Sequence, residues 1–158
     1  MDTALLGSIS FLARLSQDEL DILSDKFVLE DVLPGKRIVA EGAPIHSLYI
    51  LCNGVVHVRR LAQEREVMVA RISPGAFFGE MNLFEQGPAT ASVYAMEKST
   101  LAVAEHEVLR ECMADNPAMG YKIVSSIMTE MCRRLRETNN RLLSAYFWTG
   151  VSQGEPEA

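Results

Sequence analysis

Residues 77–95 of this 158-residue chain, FFGEMNLFEQGPATASVYA, hold its densest concentration of groups able to bind a small polar ligand. Gly79-Glu80 opens a short apolar turn through Met81, Asn82, Leu83 and Phe84; Gly87-Pro88 breaks it, and Ala89-Thr90-Ala91-Ser92 follows. A helical turn that starts at Gly79 aims its first backbone N–H groups at the loop beyond, and helix N-termini attract anions. Glu80 can accept hydrogen bonds from a sugar diol. Thr90 and Ser92 offer hydroxyls, and their small neighbours let a ligand approach the strand. The same residues also suit a capped turn leading into a hairpin, with Glu80 serving only the helix dipole, and spacing alone favours that plainer arrangement.

Other chemistry finds less support. His46, His57, His106, Cys52, Cys112 and Cys132 lack metal-ligand spacing, with no CxxC or HxxxH among them, so no metal site is expected. Cys52 sits inside an apolar run and reads as a small core residue. There is no nucleophile-elbow motif and no Ser-His-Asp arrangement, so no catalytic residue and no enzyme activity is expected. Arg133, Arg134, Arg136 and Arg141 form a basic run that reads as a solvated helix face paired with Glu130 and Glu137. A partner-docking or nucleic-acid patch is the alternative for that run. The net charge of −6 and pI near 5.1 weigh against direct DNA binding. Three scattered cysteines and no apolar run near the roughly 18 residues that span a bilayer point to the cytoplasm rather than a membrane or a secreted disulfide framework. The opening MDTALLGSIS lacks the basic n-region of a secretory signal.

The elements that must position the cassette follow from periodicity. In RLSQDELDILSDKF, Ser16 and Glu19 form a capping box, with Leu20, Leu23 and Phe27 at helical spacing and Leu15 as staple. From residue 27 to 105 the pattern becomes short β-branched runs broken at Pro34-Gly35, Glu41 to Pro44, Asn53-Gly54 and Ser73 to Gly75. Asn-Gly between SLYILC and VVHVRR predicts a hairpin. About eight antiparallel strands in a β-roll, a jelly-roll-like barrel, are expected. HEVLRECMAD is a short amphipathic helix ended by Asn116-Pro117. The thirty or so residues that follow form one long helix, with Val124, Met128, Met131, Leu135, Thr138, Leu142 and Ala145 as a coiled-coil seam. Ile123 and Ile127 flank that seam and suit packing against the barrel. The expected organisation is a β-roll domain with N-terminal helices at 1–116, a dimerisation helix at 117–148 and a disordered tail at 149–158. A homodimer through Val124, Met128, Met131, Leu135 and Leu142 follows from the seam, since such a stripe is poorly left in water.

The cassette resembles the phosphate-binding segment of the cyclic nucleotide-binding domain family, which includes catabolite activator proteins and the regulatory subunits of cyclic AMP-dependent kinase. Phe78, Gly79, Glu80, Leu83, Pro88, Ala91 and Ser92 fall in register with that family's pattern. Gly35, Glu41-Gly42, SLYILCNGVV and Pro74-Gly75 look like its turns and central strands, and the long final helix is similar to the dimerising helix of the bacterial regulators. The resemblance implies a mainly-β regulatory sensor domain. A standalone module acting on a protein partner, lacking the helix-turn-helix domain of the activator-type members, is the expectation. The sensor half of a Crp/Fnr-type transcription regulator is the alternative. The resemblance also implies cyclic AMP or cyclic GMP as ligand, held by Phe78 to Leu83 and Pro88 to Ser92, with no other cofactor. The chain departs from the pattern at one point. The arginine that pairs with the cyclic phosphate stands, in family members, at the position of Ala89 or of Thr90. Losing a bidentate guanidinium contact, at roughly 1.5–3 kcal/mol per charged hydrogen bond, weakens affinity by about two to four decades. Arg71 or Arg59 on neighbouring strands are the candidates to replace it. A ligand-free scaffold on the same fold is the competing expectation.

Overall fold

The structure is a computed structural model that describes Gly7 and residues 9–150. Of the tail expected at 149–158, residues 151–158 lie outside the described part. A 3-10 turn (Ser10–Leu12) leads into helix α1 (Gln17–Ser24). The capping box forms as the spacing predicts. The Ser16 amide donates to Glu19 Oε2 at 2.7 Å, and the Glu19 amide to Ser16 Oγ at 3.3 Å. Leu20 and Leu23 turn inward.

Eight strands follow: β1 (Val28–Val32), β2 (Arg37–Val39), β3 (Ser47–Asn53), β4 (Val56–Ala62), β5 (Arg65–Ile72), β6 (Phe77–Phe78), β7 (Ser92–Ala95) and β8 (Ser99–Glu105). They form two four-stranded sheets, ordered β1-β8-β3-β6 and β2-β7-β4-β5, and every pairing is antiparallel. Helix α2 (Met81–Phe84) interrupts the chain between β6 and β7. Helices α3 (His106–Asp115) and α4 (Pro117–Gly150) close it. No described helix is long and apolar enough to cross a membrane.

One local expectation is corrected. β3 and β4 do not pair, because Asn53-Gly54 is a corner at which the chain passes from one sheet to the other. Gly54 has φ +97°, and a Cβ there would stand 2.8 Å from the Ser99 Cα, so the glycine permits a close crossing of chains. The hairpin joins β4 to β5 instead, through Gln63 and Glu64, both with positive φ (47° and 65°). That is the backbone of a type I′ turn without the Asn-Gly that usually announces it.

The core has two compartments on either side of the first sheet. Leu48, Ile50, Phe77, Ala102 and Ala104 face the helices and pack with Leu12, Leu23, Leu109, Met119, Ile123 and Ile127. Leu51, Phe78 and Leu101 face the roll's interior and pack with Val39, Val56, Ile72, Val93 and Ala95. Strand alternation sends neighbouring residues to opposite compartments, and both are apolar. This explains why LYIL and LAVA are continuous apolar runs rather than alternating ones.

Candidate functional site

The cassette begins where Phe77 and Phe78 diverge, the first toward the helices and the second into the roll. Phe78 stacks on Tyr49 with ring centroids 4.9 Å apart and planes 5° from parallel. Gly79 then turns the chain at φ +83°, and a Cβ there would stand 2.5 Å from the Ser47 carbonyl oxygen, which is backbone and cannot swing away. Only glycine satisfies both demands. Gly79→Ala should therefore destabilise the fold by about 2–3 kcal/mol, read as a lowered denaturation midpoint. It should also displace Glu80.

Glu80 caps α2 with its backbone, its carbonyl accepting from the Leu83 amide at 3.1 Å. Its side chain makes no capping bond. It is instead 6% exposed, and its Oε1 takes Arg134 Nη1 of α4 at 3.2 Å. Arg134 fixes this contact with every nitrogen it has. Nη2 donates to the Phe77 carbonyl at 2.7 Å and Nε to Glu130 at 2.9 Å, while the guanidinium lies 4.8 Å from the Phe77 ring centre. The expected solvated Arg–Glu face is present, since Arg133 pairs with Glu130 and Glu137. Arg134 turns inward, and Arg141 reaches the roll as well, donating to the Val69 carbonyl of β5 at 3.4 Å. The position of Arg134 could have been found from sequence, because 123, 127, 130 and 134 repeat at helical spacing on the side that carries Ile123 and Ile127.

Burial raises the Glu80 pKa, with Arg134 opposing it. A carboxyl whose folded pKa lies above its unfolded value favours the fold when protonated. That contribution is fully present below the ordinary 4.5 and is lost as pH rises through the folded value. Glu80→Gln should accordingly be more stable than the wild type near neutrality, the gap closing as pH falls toward 4.5. Chemical denaturation of both proteins across that range checks the sign.

The rest of the cassette is internally satisfied. Asn82 is buried and its amide donates to the Gly87 carbonyl at 2.5 Å. Leu83 is buried against the helices, while Met81 is 53% exposed. Pro88 bridges to Pro44, and Ala89 exchanges backbone hydrogen bonds of 2.8 Å with Gly42 and Ala43. Ala89 is 6% exposed and sits in the apolar interior of the roll. Thr90 is exposed and Ala91 half-buried. The Ser92 hydroxyl accepts from the Glu41 amide at 2.9 Å. Phe78 and Ala89 meet in the roll's interior cluster and Asn82 is bonded to Gly87, while Glu80 turns to α4 and Ser92 pairs across the sheet with Arg59.

Arg71 is not part of that assembly. It pairs across the sheet with His57, and His57 with Tyr94, while the alternate row, Ile72, Val56 and Ala95, fills the interior. Cross-strand partners share a face, so Arg71 stands on the outer side of the sheet. Arg59 lies there too, 5.0 Å from the Tyr94 ring centre. Arg59 is the cross-strand partner of Ser92 and pairs with Glu66, and the cation that reaches Glu80 comes from α4. On that helix Val124, Met128, Leu135 and Leu142 are exposed, at 37%, 59%, 61% and 63%. Met131 departs from that stripe, half-buried against the core.

On the other side of the cassette, α3 holds both ends of α2. Gly79 O can only accept, so buried His106 carries its proton on Nε2 and donates to it at 2.9 Å. Burial lowers the His106 pKa, and the Gly79 hydrogen bond opposes this. Arg110 donates from Nε to the Leu83 carbonyl at 3.0 Å and from Nη2 to the Asn82 carbonyl at 3.4 Å.

Residues 29–116, more than half of the chain, match the cyclic nucleotide-binding domain family. The chain belongs to that family. A CRP-like cAMP-activated global transcriptional regulator of Mycobacterium tuberculosis is 33% identical over 114 residues, covering 72% of this chain and 49% of that protein. Glutaminase 2 of Bradyrhizobium diazoefficiens is 33% identical over 147 residues, covering 89% of this chain and 22% of that protein. The chain therefore spans about half, or less, of the length of these relatives. Among solved structures, the catabolite activator protein of Thermus thermophilus superposes with a TM-score of 0.75 at 27% identity, covering 87% of this chain and 63% of that one. The cyclic nucleotide-binding domain here, a β-roll with a long C-terminal helix, is of the CRP-like regulatory type.

Proposed function

We propose that this domain is a cytoplasmic regulatory sensor. It binds a cyclic nucleotide or a related small ligand in the 78–92 cassette and passes occupancy to a partner protein through α4, without binding DNA itself and without catalysis. One observation carries the reading: the buried carboxylate of Glu80, the group suited to a ribose diol, is ion-paired to Arg134 of the long helix. A diol that takes Glu80 competes directly with that contact, so ligand binding and the seating of α4 are one equilibrium. The exposed stripe through Val124, Met128, Leu135 and Leu142 supports a homodimer as the output-competent form. The 1–116 and 117–148 units then divide sensing from assembly.

The test is a thermal-shift series with cyclic AMP, cyclic GMP and cyclic dinucleotides. With no arginine at 89 or 90, cyclic AMP is expected to bind with a dissociation constant of about 10 µM or weaker. A concentration of about 100 times that constant adds about 2.7 kcal/mol of stability, a rise of roughly 5–11 °C. Glu80→Ala should remove the shift. Submicromolar affinity in the unmodified domain would contradict the role given to the missing arginine.

A second reading, a scaffold that has given up its ligand, is favoured by a different observation. Ala89 is buried among apolar side chains, and the Ser92 hydroxyl is already engaged by Glu41. Absence of any shift with every cyclic nucleotide would establish it.

A further inference from the structure

Helix α2 is only four residues long, Met81–Phe84, and so has almost no internal hydrogen bonding with which to hold its own shape. Its last carbonyls need outside donors, and the turn before it, at Gly79, is held in a conformation of positive φ. Both demands are met from one element. His106, in the first turn of α3 and 3% exposed, donates to Gly79 O, and Arg110, one turn further along, donates to Leu83 O and Asn82 O. The arginine is itself oriented by Glu107, whose Oε2 takes Nη1 at 2.7 Å. The grip is anchored at its base, since the His106 amide donates to the His46 carbonyl at 2.7 Å. Where these groups meet the loop at 42–46 and the turn at 86–88 there is an open cleft of about 560 Å³. Glu80, Ala89 and Ser92 do not line this cleft.

We infer that His106 and Arg110 are positioning residues for the ligand cassette, holding Gly79 and α2 in register so that Glu80 is presented correctly, although neither lines the ligand face. This rests on the proposal that the cassette takes a cyclic nucleotide. A ligand held by one carboxylate and a few backbone groups, with no cassette arginine, depends on how accurately those groups are pre-placed. Tolerances in such sites are about 0.5 Å, less than the movement available to a four-residue helix released at both ends. Leu83 anchors α2 to the core by apolar packing, and His106 and Arg110 supply the polar contacts where the cassette borders the open cleft.

The experiment uses the whole chain and cyclic AMP as the probe. Calorimetry gives affinity, and hydrogen exchange of the Leu83 and Glu85 amides, which close α2 on Glu80 O and Met81 O, gives cassette order without ligand. Arg110→Ala is the principal variant, since its side chain is 36% exposed and its loss spares the core. His106→Ala is the second, with His106→Gln and Arg110→Lys as conservative partners that retain a donor. The expected result is cyclic AMP affinity weakened about tenfold in each alanine variant and largely recovered in the His106→Gln and Arg110→Lys variants. Exchange at 83 and 85 should rise about tenfold in the alanine variants, with amides of β3 and β8 unchanged. Faster exchange with unchanged affinity, while Glu80→Ala abolishes binding, would overturn the inference and leave the sensor reading intact. Affinity lost equally in alanine and conservative variants, with exchange rising through β3 and β8 as well, would mean general unfolding and also overturn it. No binding by the wild type up to millimolar cyclic AMP would overturn the sensor reading, and the inference with it.

Discussion

Leu135→Asp is expected to convert the protein to a monomer. Leu135 is 61% exposed on α4, midway along a stripe that includes Val124, Met128 and Leu142 and runs on toward Tyr146 and Phe147, 81% and 72% exposed. The opposite side of the same helix is committed to the roll through Met119, Ile123, Ile127 and Arg134. Val124, Met128, Leu135 and Leu142 are therefore exposed on the side turned away from the roll, where a second copy can pack. In a two-fold arrangement each Leu135 is buried by the partner helix, so the substitution acts twice. Burial of a leucine contributes about 1.5–3 kcal/mol; two of them amount to about 4 kcal/mol, or roughly three decades in the dimerisation constant. Two aspartates facing one another add repulsion. Sedimentation velocity at tens of micromolar should show a dimer for the wild type and a monomer for the variant, with unchanged β-sheet circular dichroism. A wild type that sediments as a monomer would remove the dimer and leave the stripe for another partner.

Much of the fold was legible because its signals are local. The capping box at Ser16, the strand breaks at Pro34-Gly35 and Ser73 to Gly75, and the Asn116-Pro117 stop each act within a few residues and appear where periodicity puts them. The errors came from choices made at long range. Asn53-Gly54 carries the local chemistry of a hairpin, but whether β3 pairs with β4 depends on which strand lies beside each, and β8 and β7 take those places. The Gln63-Glu64 hairpin was missed for the converse reason: its residues carry no turn preference, and the ladder from Val56–Ile72 to Ala62–Arg65 imposes the geometry on them.

The candidate site divides in the same way. Gly79 was legible because its turn is set by its own backbone, at φ +83°; that Glu80 faces α4 while Ala89 faces the roll's interior depends on packing between distant elements. Arg71 was misplaced because strand pairing, not proximity in sequence, sets which face it occupies. Arg134 was missed because its charge matched Glu130 one turn away, and that local pair does form. What sequence spacing could not show is that Glu130 and Arg134 lie on the buried side of the helix, where the same guanidinium also reaches Glu80, 54 residues earlier in the chain. Met131 shows the limit of a heptad reading. It satisfies the seam's spacing, yet it lies at the border of the two faces and leans on the core.

Ala89→Arg is expected to give opposite effects with and without ligand. The backbone at 89 is pinned by two 2.8 Å hydrogen bonds to residues 42 and 43, so a new side chain must start from the place where the alanine methyl now sits. That place is 6% exposed and adjoins the cluster that includes Val39, Phe78 and Val93. Without ligand, a guanidinium there has no anion to pair with and must displace apolar packing. An uncompensated buried charge costs about 3–5 kcal/mol; the length of arginine allows partial escape to water, so a loss of about 2–3 kcal/mol is expected. At roughly 2–4 °C per kcal/mol for a chain of this size, the melting temperature should fall by about 4–12 °C. With cyclic AMP the same charge meets a phosphodiester. A bidentate contact restores more than the 1.4 kcal/mol that corresponds to a decade, so calorimetry should show affinity tightened at least tenfold over the wild type. Ligand should raise the variant's melting temperature by more than it raises the wild type's. Lower stability with no gain in affinity would mean that the interior of the roll is closed to ligand, and the scaffold reading would then hold. Unchanged stability together with unchanged affinity would place residue 89 outside the pocket altogether, and the weak binding expected of the wild type would need a cause other than the missing arginine.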